Sequence, residues 1–412
     1  MAEAAMRARA LEIFRAGVAA ADPARAVRRA LDARPLPAPG ARGRRVVIAA
    51  GKAARAMMAA ALEVTGPSAG ALVVTNHENA RPLAGAEVLG AGHPVPDAAG
   101  ARAAERVLAA VSGLGADDRV LVLLSGGASA LLPAPVEGVS LADKAEVNRL
   151  LLASGADITE MNLVRQALSR IKGGGLVRAA HPAPVTALIL SDVIGDDLRV
   201  VASGPTCPPI GTRADAVAAL RARGLWERVP QSVRRALTEL PDPPPPPPPA
   251  DNRLVGSNAM SLAAMGQAAG VAPEPAPLVG DVAEAAARVV ASLDGPGIRL
   301  FGGETTVVVR GEGLGGRNQE LALRVALLAE AAGWAGPWVF LSGGTDGRDG
   351  PTDAAGGLVD DGTLARIRAA GRDPAADLAR NDSYPALKAA GDLLVTGPTG
   401  TNVADLQVLI RG

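Results

Sequence analysis

Residues 120–131 read Val-Leu-Val-Leu-Leu-Ser-Gly-Gly-Ala-Ser-Ala-Leu. Five consecutive apolar residues without polar alternation describe a strand buried on both faces, as in a parallel sheet covered by helices. The small residues that follow mark the turn at the carboxyl edge of such a sheet. Val-Thr-Ala-Leu-Ile-Leu at 185–190 repeats the pattern. Working outward, strands are predicted at 45–50, 71–75, 120–125, 185–191, 253–256, 299–302, 305–310, 338–342, 393–396 and 406–410. The runs 299–302 and 305–310 read as a tight hairpin. Ala/Arg/Glu-rich helical runs intervene at 52–63, 97–112, 140–153, 157–170, 213–223, 258–269, 281–292 and 317–332. This alternation predicts a doubly wound α/β fold.

The chain has 412 residues, enough for two or three domains. Residues 241–250 read PDPPPPPPPA, and seven consecutive prolines fit neither a helix nor a central strand. They predict an exposed polyproline II spacer and divide the chain into domains 1–245 and 251–412. The C-terminal sheet is expected to be mixed.

Hydrophobic content of 48% and 42 basic against 42 acidic residues describe a folded, near-neutral protein. With no basic block and 2% aromatics, nucleic acid is not an expected partner. No stretch approaches a membrane span and no signal peptide is legible, so a cytoplasmic location is expected. One cysteine, Cys207, excludes an internal disulfide. Only four of the 42 basic residues are lysines: Lys52, Lys144, Lys172 and Lys388.

No Walker A loop occurs. Chemistry instead gathers in glycine-rich turns after predicted strands. Gly51-Lys52 puts a cation and helix-start N–H groups at a strand's carboxyl end, where open α/β sheets bind anions. Ser125-Gly126-Gly127-Ala128-Ser129 allows close backbone approach to an anion. Lys172-Gly173-Gly174-Gly175 exceeds what a helix C-cap needs. Asp192, with Asp196 and Asp197 nearby, suits magnesium or a substrate hydroxyl. Ser203-Gly204-Pro205-Thr206 follows as a loop.

Gly311-Glu312-Gly313-Leu314-Gly315-Gly316-Arg317 matches a dinucleotide fingerprint in form, but the ribose-binding acid about 20 residues on is missing. An anion loop with Arg317 as bidentate partner of carboxylate or phosphate is the preferred reading. Residues 342–353 hold Asp346, Asp349 and Asp353 among four glycines, and 396–402 offer hydroxyls and N–H groups. His77, His93 and His181 lack metal-ligand spacing. Such loops fit phosphoryl transfer, which needs positioning and charge neutralisation.

The segments AAGKAA (49–54), GHPVPD (92–97), LLSGGASAL (123–131), NLVRQALSRIKGGGL (162–176), LILSDVIGDD (188–197), ASGPT (202–206), GGETTV (302–307), GGRNQELAL (315–323), SGGTDGRDGPTDAAG (342–356), NDSY (381–384) and TGPTGTNVADL (396–406), taken together, resemble the glycerate 2-kinase family with its C-terminal MOFRL domain. The resemblance implies a Rossmann-like N-terminal domain, a smaller mixed α/β C-terminal domain and an active site in the cleft between them. It also implies ATP, Mg2+ and D-glycerate as ligands, with 2-phosphoglycerate as product. An NAD(P)H-dependent hydroxypyruvate reductase is the alternative.

On this reading Lys52, Arg317 and Asp192 are catalytic. Ser125, Gly126, Gly127, Ser129, Asn162, Arg165 and Lys172 bind substrate. Gly173, Gly174, Ser203, Gly204, Thr206, Gly315, Gly316, Thr399 and Asn402 contact the nucleotide. Asp192, Glu304, Asp346 and Asp353 are the metal candidates, with metal and base roles left undivided. Whether the chain is a homodimer is left open.

Overall fold

A computed structural model describes residues 3–241 and 249–412. The chain forms two compact units, one of Pro23–Val255 and one of Met1–Asp22 with Gly256–Gly412. Most of the proline tract, 242–248, lies outside the described residues, and with it the expected polyproline spacer.

The first unit is built on a six-stranded sheet ordered β3-β2-β1-β4-β5-β6. Its strands are β1 (Arg45–Ala50), β2 (Gly70–Asn76), β3 (Glu87–Ala91), β4 (Arg119–Leu124), β5 (Val185–Leu190) and β6 (Asp251–Gly256). The pairs β1–β2, β2–β3, β1–β4 and β4–β5 are all parallel. Val122, Leu124, Ile48, Val74 and Ile189 are buried in one core, as the unbroken apolar runs require. The chain winds outward from β1 to β3, then returns to lay β4 on the other side of β1. The carboxyl ends of β1 and β4 therefore form a topological switch point, where open α/β sheets hold ligands.

A helical lobe is attached to this sheet. Helices Leu141–Ala153, Ile158–Ala167 and Arg213–Ala222 each begin with a capping box, Ser140/Asp143, Asp157/Glu160 and Thr212/Asp215. They pack with helix Gln231–Thr238 around Leu150, Val164, Leu220 and Val233.

The second unit holds a mixed sheet ordered β11-β10-β9-β12-β8-β7. Its strands are β7 (Leu278–Asp281), β8 (Gly297–Thr306), β9 (Trp338–Gly344), β10 (Gly356–Asp360), β11 (Leu393–Leu394) and β12 (Asp405–Arg411). β12 runs antiparallel to β8 and β9, whereas β7 and β8 are parallel. Helix Arg317–Ala331 covers one face through Leu321 and Val325.

Two expectations are corrected here. The hairpin at 299–310 does not form. Gly302 and Gly303 continue one strand opposite Leu406 and Asp405, and Val308 and Val309 leave it exposed. The N-terminal residues do not join the 23–255 unit either. Met6, Ala10, Ile13 and Phe14 of helix Glu3–Ala20 pack on Leu341, Leu406 and Val408, so the C-terminal sheet claims them. Among the described residues no helix is long and apolar enough to cross a membrane.

Candidate functional site

At the switch point the backbones after β1 and β4 are tied together. Lys52 N donates to Gly126 O at 2.9 Å and Ala53 N to Ser125 Oγ at 3.1 Å. The helix-start N–H groups expected to meet an anion are thus spent on the neighbouring turn. What remains toward solvent is the exposed Lys52 side chain.

The donors that do stay available lie one turn over. Among the described residues, the N–H groups of Gly126 and Gly127 have no acceptor. Gly127 is left-handed, with φ of 88°. Two successive free N–H groups beside a left-handed residue make a concave nest for an anion. A methyl at Gly126 would overlap the Asp192 carboxylate, and one at Gly127 would press on the His93 ring and the Lys52 stem. Lys52, Gly126, Gly127, His93 and Asp192 therefore surround one small volume. Burial raises the Asp192 carboxyl above its ordinary value, and the Lys52 charge partly offsets this. Burial, and then Lys52, lower His93, so its imidazole is neutral near pH 7.

A cavity of about 410 Å³ opens beside the nest, with His93, Ser129, Lys144, Arg165 and Lys172 in its wall. Among the described residues, no Asp or Glu lines it. Lys172 is 4% exposed. Its ammonium donates to Ser129 O at 2.7 Å and Ser129 Oγ at 2.5 Å. The Ser129 and Ser203 hydroxyls are 2.8 Å apart, and Ser203 Oγ donates to Asn162 Oδ1 at 2.7 Å. Four residues expected near substrate or nucleotide are thereby joined in one relay.

The triple glycine has another use than the one expected. Gly173 N donates to Ser203 O at 3.1 Å and Gly174 N to Gly204 O at 2.8 Å. These N–H groups lock the 172–175 turn to the 203–204 turn and are not offered to a nucleotide. Ala202, Ser203 and Gly204 are all left-handed, with φ of 53°, 60° and 63°. Gln166 Nε2 holds that conformation through Arg199 O and Ser203 O. Two non-glycine residues in this region cost about 1–3 kcal/mol each, a cost tolerated mostly where a site demands it. Thr206 Oγ1 is turned away onto Asn252 Oδ1 at 2.7 Å.

In the second unit Arg317 begins its helix as expected, but its fork is taken. Nε and Nη2 donate to the two Asp405 oxygens at 2.6 and 2.9 Å, and Nη1 lies 2.8 Å from Glu304. These pairs outweigh burial and raise the guanidinium above its ordinary value. The helix's first N–H groups are capped by a buried acid. Asn318 N donates to Asp349 Oδ1 at 3.1 Å and Gln319 N to Oδ2 at 2.8 Å. A side chain at Gly316 would overlap that carboxylate, and one at Gly315 the Ser383 hydroxyl. The anion expected at this loop is the protein's own Asp349.

The remaining candidates are scattered. Asp346 accepts from Arg348 N at 2.9 Å, and Asp353 accepts from the Tyr384 hydroxyl at 2.8 Å. Thr399 Oγ1 donates to Thr345 O, and Asn402 Oδ1 accepts from Ala404 N. Among the described residues, only Glu3, Asp360 and Asp361 bring three carboxylates within metal-binding range. Asp360 already serves Arg7 and Arg366 there. Asp192 faces the open nest without such a group, which fits magnesium held by one carboxylate together with nucleotide phosphates.

Sequence reasoning missed His93, Lys144, Asp349 and Asp405 as site-forming residues. Lysine scarcity was the available signal for Lys144. Position within GHPVPD was the signal for His93.

A family model described as a domain of unknown function, DUF4147, matches residues 9–238, and the MOFRL family model matches residues 297–405. A D-glycerate 2-kinase of Thermotoga maritima is 42% identical, covering 97% of each chain. A protein of Agrobacterium vitis with a provisional hydroxypyruvate reductase name is 45% identical over 97% of this chain and 93% of its own. The crystal structure of a Thermotoga maritima glycerate kinase matches 99% of this chain and 100% of its own, with a TM-score of 0.90 and 41% identity. Motif order, the β1/β4 switch point and these matches across nearly the whole length agree, and the chain belongs to the glycerate 2-kinase family.

Proposed function

We propose that this protein transfers the γ-phosphoryl group of ATP to the 2-hydroxyl of D-glycerate, giving 2-phosphoglycerate and ADP. The reading rests on one observation. The two free N–H groups of Gly126 and Gly127 stand beside exposed Lys52 and next to a cavity lined, among the described residues, by basic groups and no acid. That combination suits one substrate phosphate and one substrate carboxylate side by side. Relatives named D-glycerate 2-kinase and glycerate kinase support it.

In the reaction, the glycerate hydroxyl oxygen bonds to the γ-phosphorus as the bond to the β–γ bridging oxygen breaks. ADP leaves with that electron pair, and the hydroxyl proton goes to neutral His93. Lys52 and the Gly126–Gly127 nest neutralise the phosphoryl oxygens as charge shifts among them. Asp192 would hold magnesium, which would supply positive charge against the negative phosphates.

A nicotinamide reductase is disfavoured by Asp349. It fills the helix start that the 311–316 turn would have to offer to a dinucleotide pyrophosphate. Incubation of the protein with ATP, magnesium and D-glycerate, followed by phosphorus NMR, tests the proposal. A 2-phosphoglycerate resonance is expected. Product at the 3-position, or none alongside NADH consumption with hydroxypyruvate, would overturn it.

A further inference from the structure

The cavity beside the switch point holds three basic side chains with no acid partner among the described residues. Lys144 Nζ donates to Pro133 O at 2.9 Å and Leu168 O at 3.0 Å, and so keeps one of its three N–H bonds. Lys172 is likewise held by Ser129 alone. Arg165 gives Nε and one terminal nitrogen to Asn148 Oδ1. None of the three has a carboxylate partner among the described residues. Cations gathered in a partly buried cavity repel each other and lose hydration, so the arrangement is unfavourable until an anion enters.

We propose that Lys144 is a specificity-determining residue for the reaction. With Lys172 and Arg165 it seats the carboxylate of the hydroxy acid. This rests on the kinase reading above. The orientation follows from it, since a seated carboxylate leaves the 2-hydroxyl end of a three-carbon acid for the Lys52 side of the cavity.

Burial, and then Arg165, push the empty-site Lys144 ammonium down to about 7. Burial, then Lys144 and Arg165, lower Lys172 as well. The other groups around Lys144 do not cancel this. Neutral His93, on the loop after β3, shares the cavity wall with it. Arg149, on its own helix, is paired with Glu146, and Asp143 is held by Ser140. From the packed helix Gln231–Thr238, Arg234 is paired with Glu227. A bound carboxylate favours the ammonium form, so affinity should fall above about pH 7, approaching tenfold per pH unit.

The test is calorimetric titration of D-glycerate, without ATP, at pH 8 in two buffers of different ionisation enthalpy. Wild type should take up protons on binding, and Lys144→Met should take up fewer, the remainder going to Lys172. In turnover, the wild-type KM for D-glycerate should rise severalfold or more between pH 7.5 and 8.5. In Lys144→Met it should start at least about tenfold higher and rise less steeply with pH, while the KM for ATP holds. Unchanged proton uptake in the variant, or a wild-type KM profile, would overturn the proposal. A competition experiment on wild type needs no variant. A small 2-hydroxy acid should compete with D-glycerate and glycerol should not, and equal competition would overturn the seat. Absence of any phosphorylated product would sink the kinase reading alone, because proton uptake on carboxylate binding is read independently of it.

Discussion

Two turns of this molecule look alike in sequence and differ in what they leave open. Ser125–Ser129 follows β4, and Gly311–Arg317 follows β8; both are glycine-rich and both lead into a helix. In the first, Gly126 and Gly127 keep their N–H groups, and the nearby Lys52, Lys144, Lys172 and Arg165 form no ion pair among the described residues. In the second, Asp349 caps the helix and Asp405 with Glu304 holds Arg317. Glycine signals close approach in both places, and the approaching group decides the meaning. A turn approached by the chain's own carboxylate is a structural joint, whereas one left with free donors and uncompensated cations is a receptor for an anion.

The largest test of that distinction is Lys52→Ala. Loss of an unpaired cation aimed at transferring phosphoryl oxygens should lower kcat by about a thousandfold, or about 4 kcal/mol. The melting temperature should hold, since Lys52 makes no ion pair among the described residues and its side chain is exposed. Turnover within a few fold of wild type would return the first turn to the structural class.

The second test reads the joint through pH. Burial raises the Asp349 carboxyl to about 6, though the Gln319 and Asn318 N–H groups favour its charge. The unfolded carboxyl titrates near 3.9. As pH rises from about 4 to 6, the unfolded chain loses this proton before the folded one does. Folded-state stability should therefore fall by about 3 kcal/mol across that window and level off above it. Asp349→Asn removes the titration. It also loses one of the two oxygen acceptors that cap the helix. Denaturant melts of both proteins from pH 4 to 7 should show the wild-type advantage shrinking as pH rises. A constant difference would mean that Asp349 is not buried as a charge.

Much of this was legible beforehand, and the omissions have physical causes. The apolar runs of β1, β4 and β5 announced a parallel sheet because both faces are buried. β10 was missed because Gly356 and Gly357 open it, and glycine weakens a strand signal. Here the glycine is required, since a Cβ at Gly356 would overlap Ser342 O on β9. β3 was missed because it is a short, half-exposed edge. From residue type and position, Lys52, Ser129 and Lys172 could be named as candidates, and Arg165 through the family resemblance alone. Their partners could not. That Gly173 bonds Ser203 rather than a ligand, or that Asp349 reaches back 31 residues to cap Asn318, depends on contacts distant in sequence.

Arg317 sharpens the comparison at the smallest scale, because its two carboxylate partners differ in burial. Asp405 is fully buried and bidentate, whereas the Glu304 side chain is 45% exposed. A pair so open to water is screened, and its long side chain must be ordered to form it. Glu304→Gln should therefore cost only about 0.5 kcal/mol in a denaturant melt. Sequence reasoning also named Glu304 as a metal candidate, and the two roles separate cleanly. As an ion-pair partner of Arg317, its loss leaves unchanged the magnesium concentration for half-maximal turnover. As a ligand, its loss raises that concentration well above the wild-type value while stability barely moves. The geometry favours the first outcome, because the carboxylate is already engaged by Arg317. A magnesium titration of Glu304→Gln that shifted tenfold would move the Arg317 turn out of the structural class and into the site.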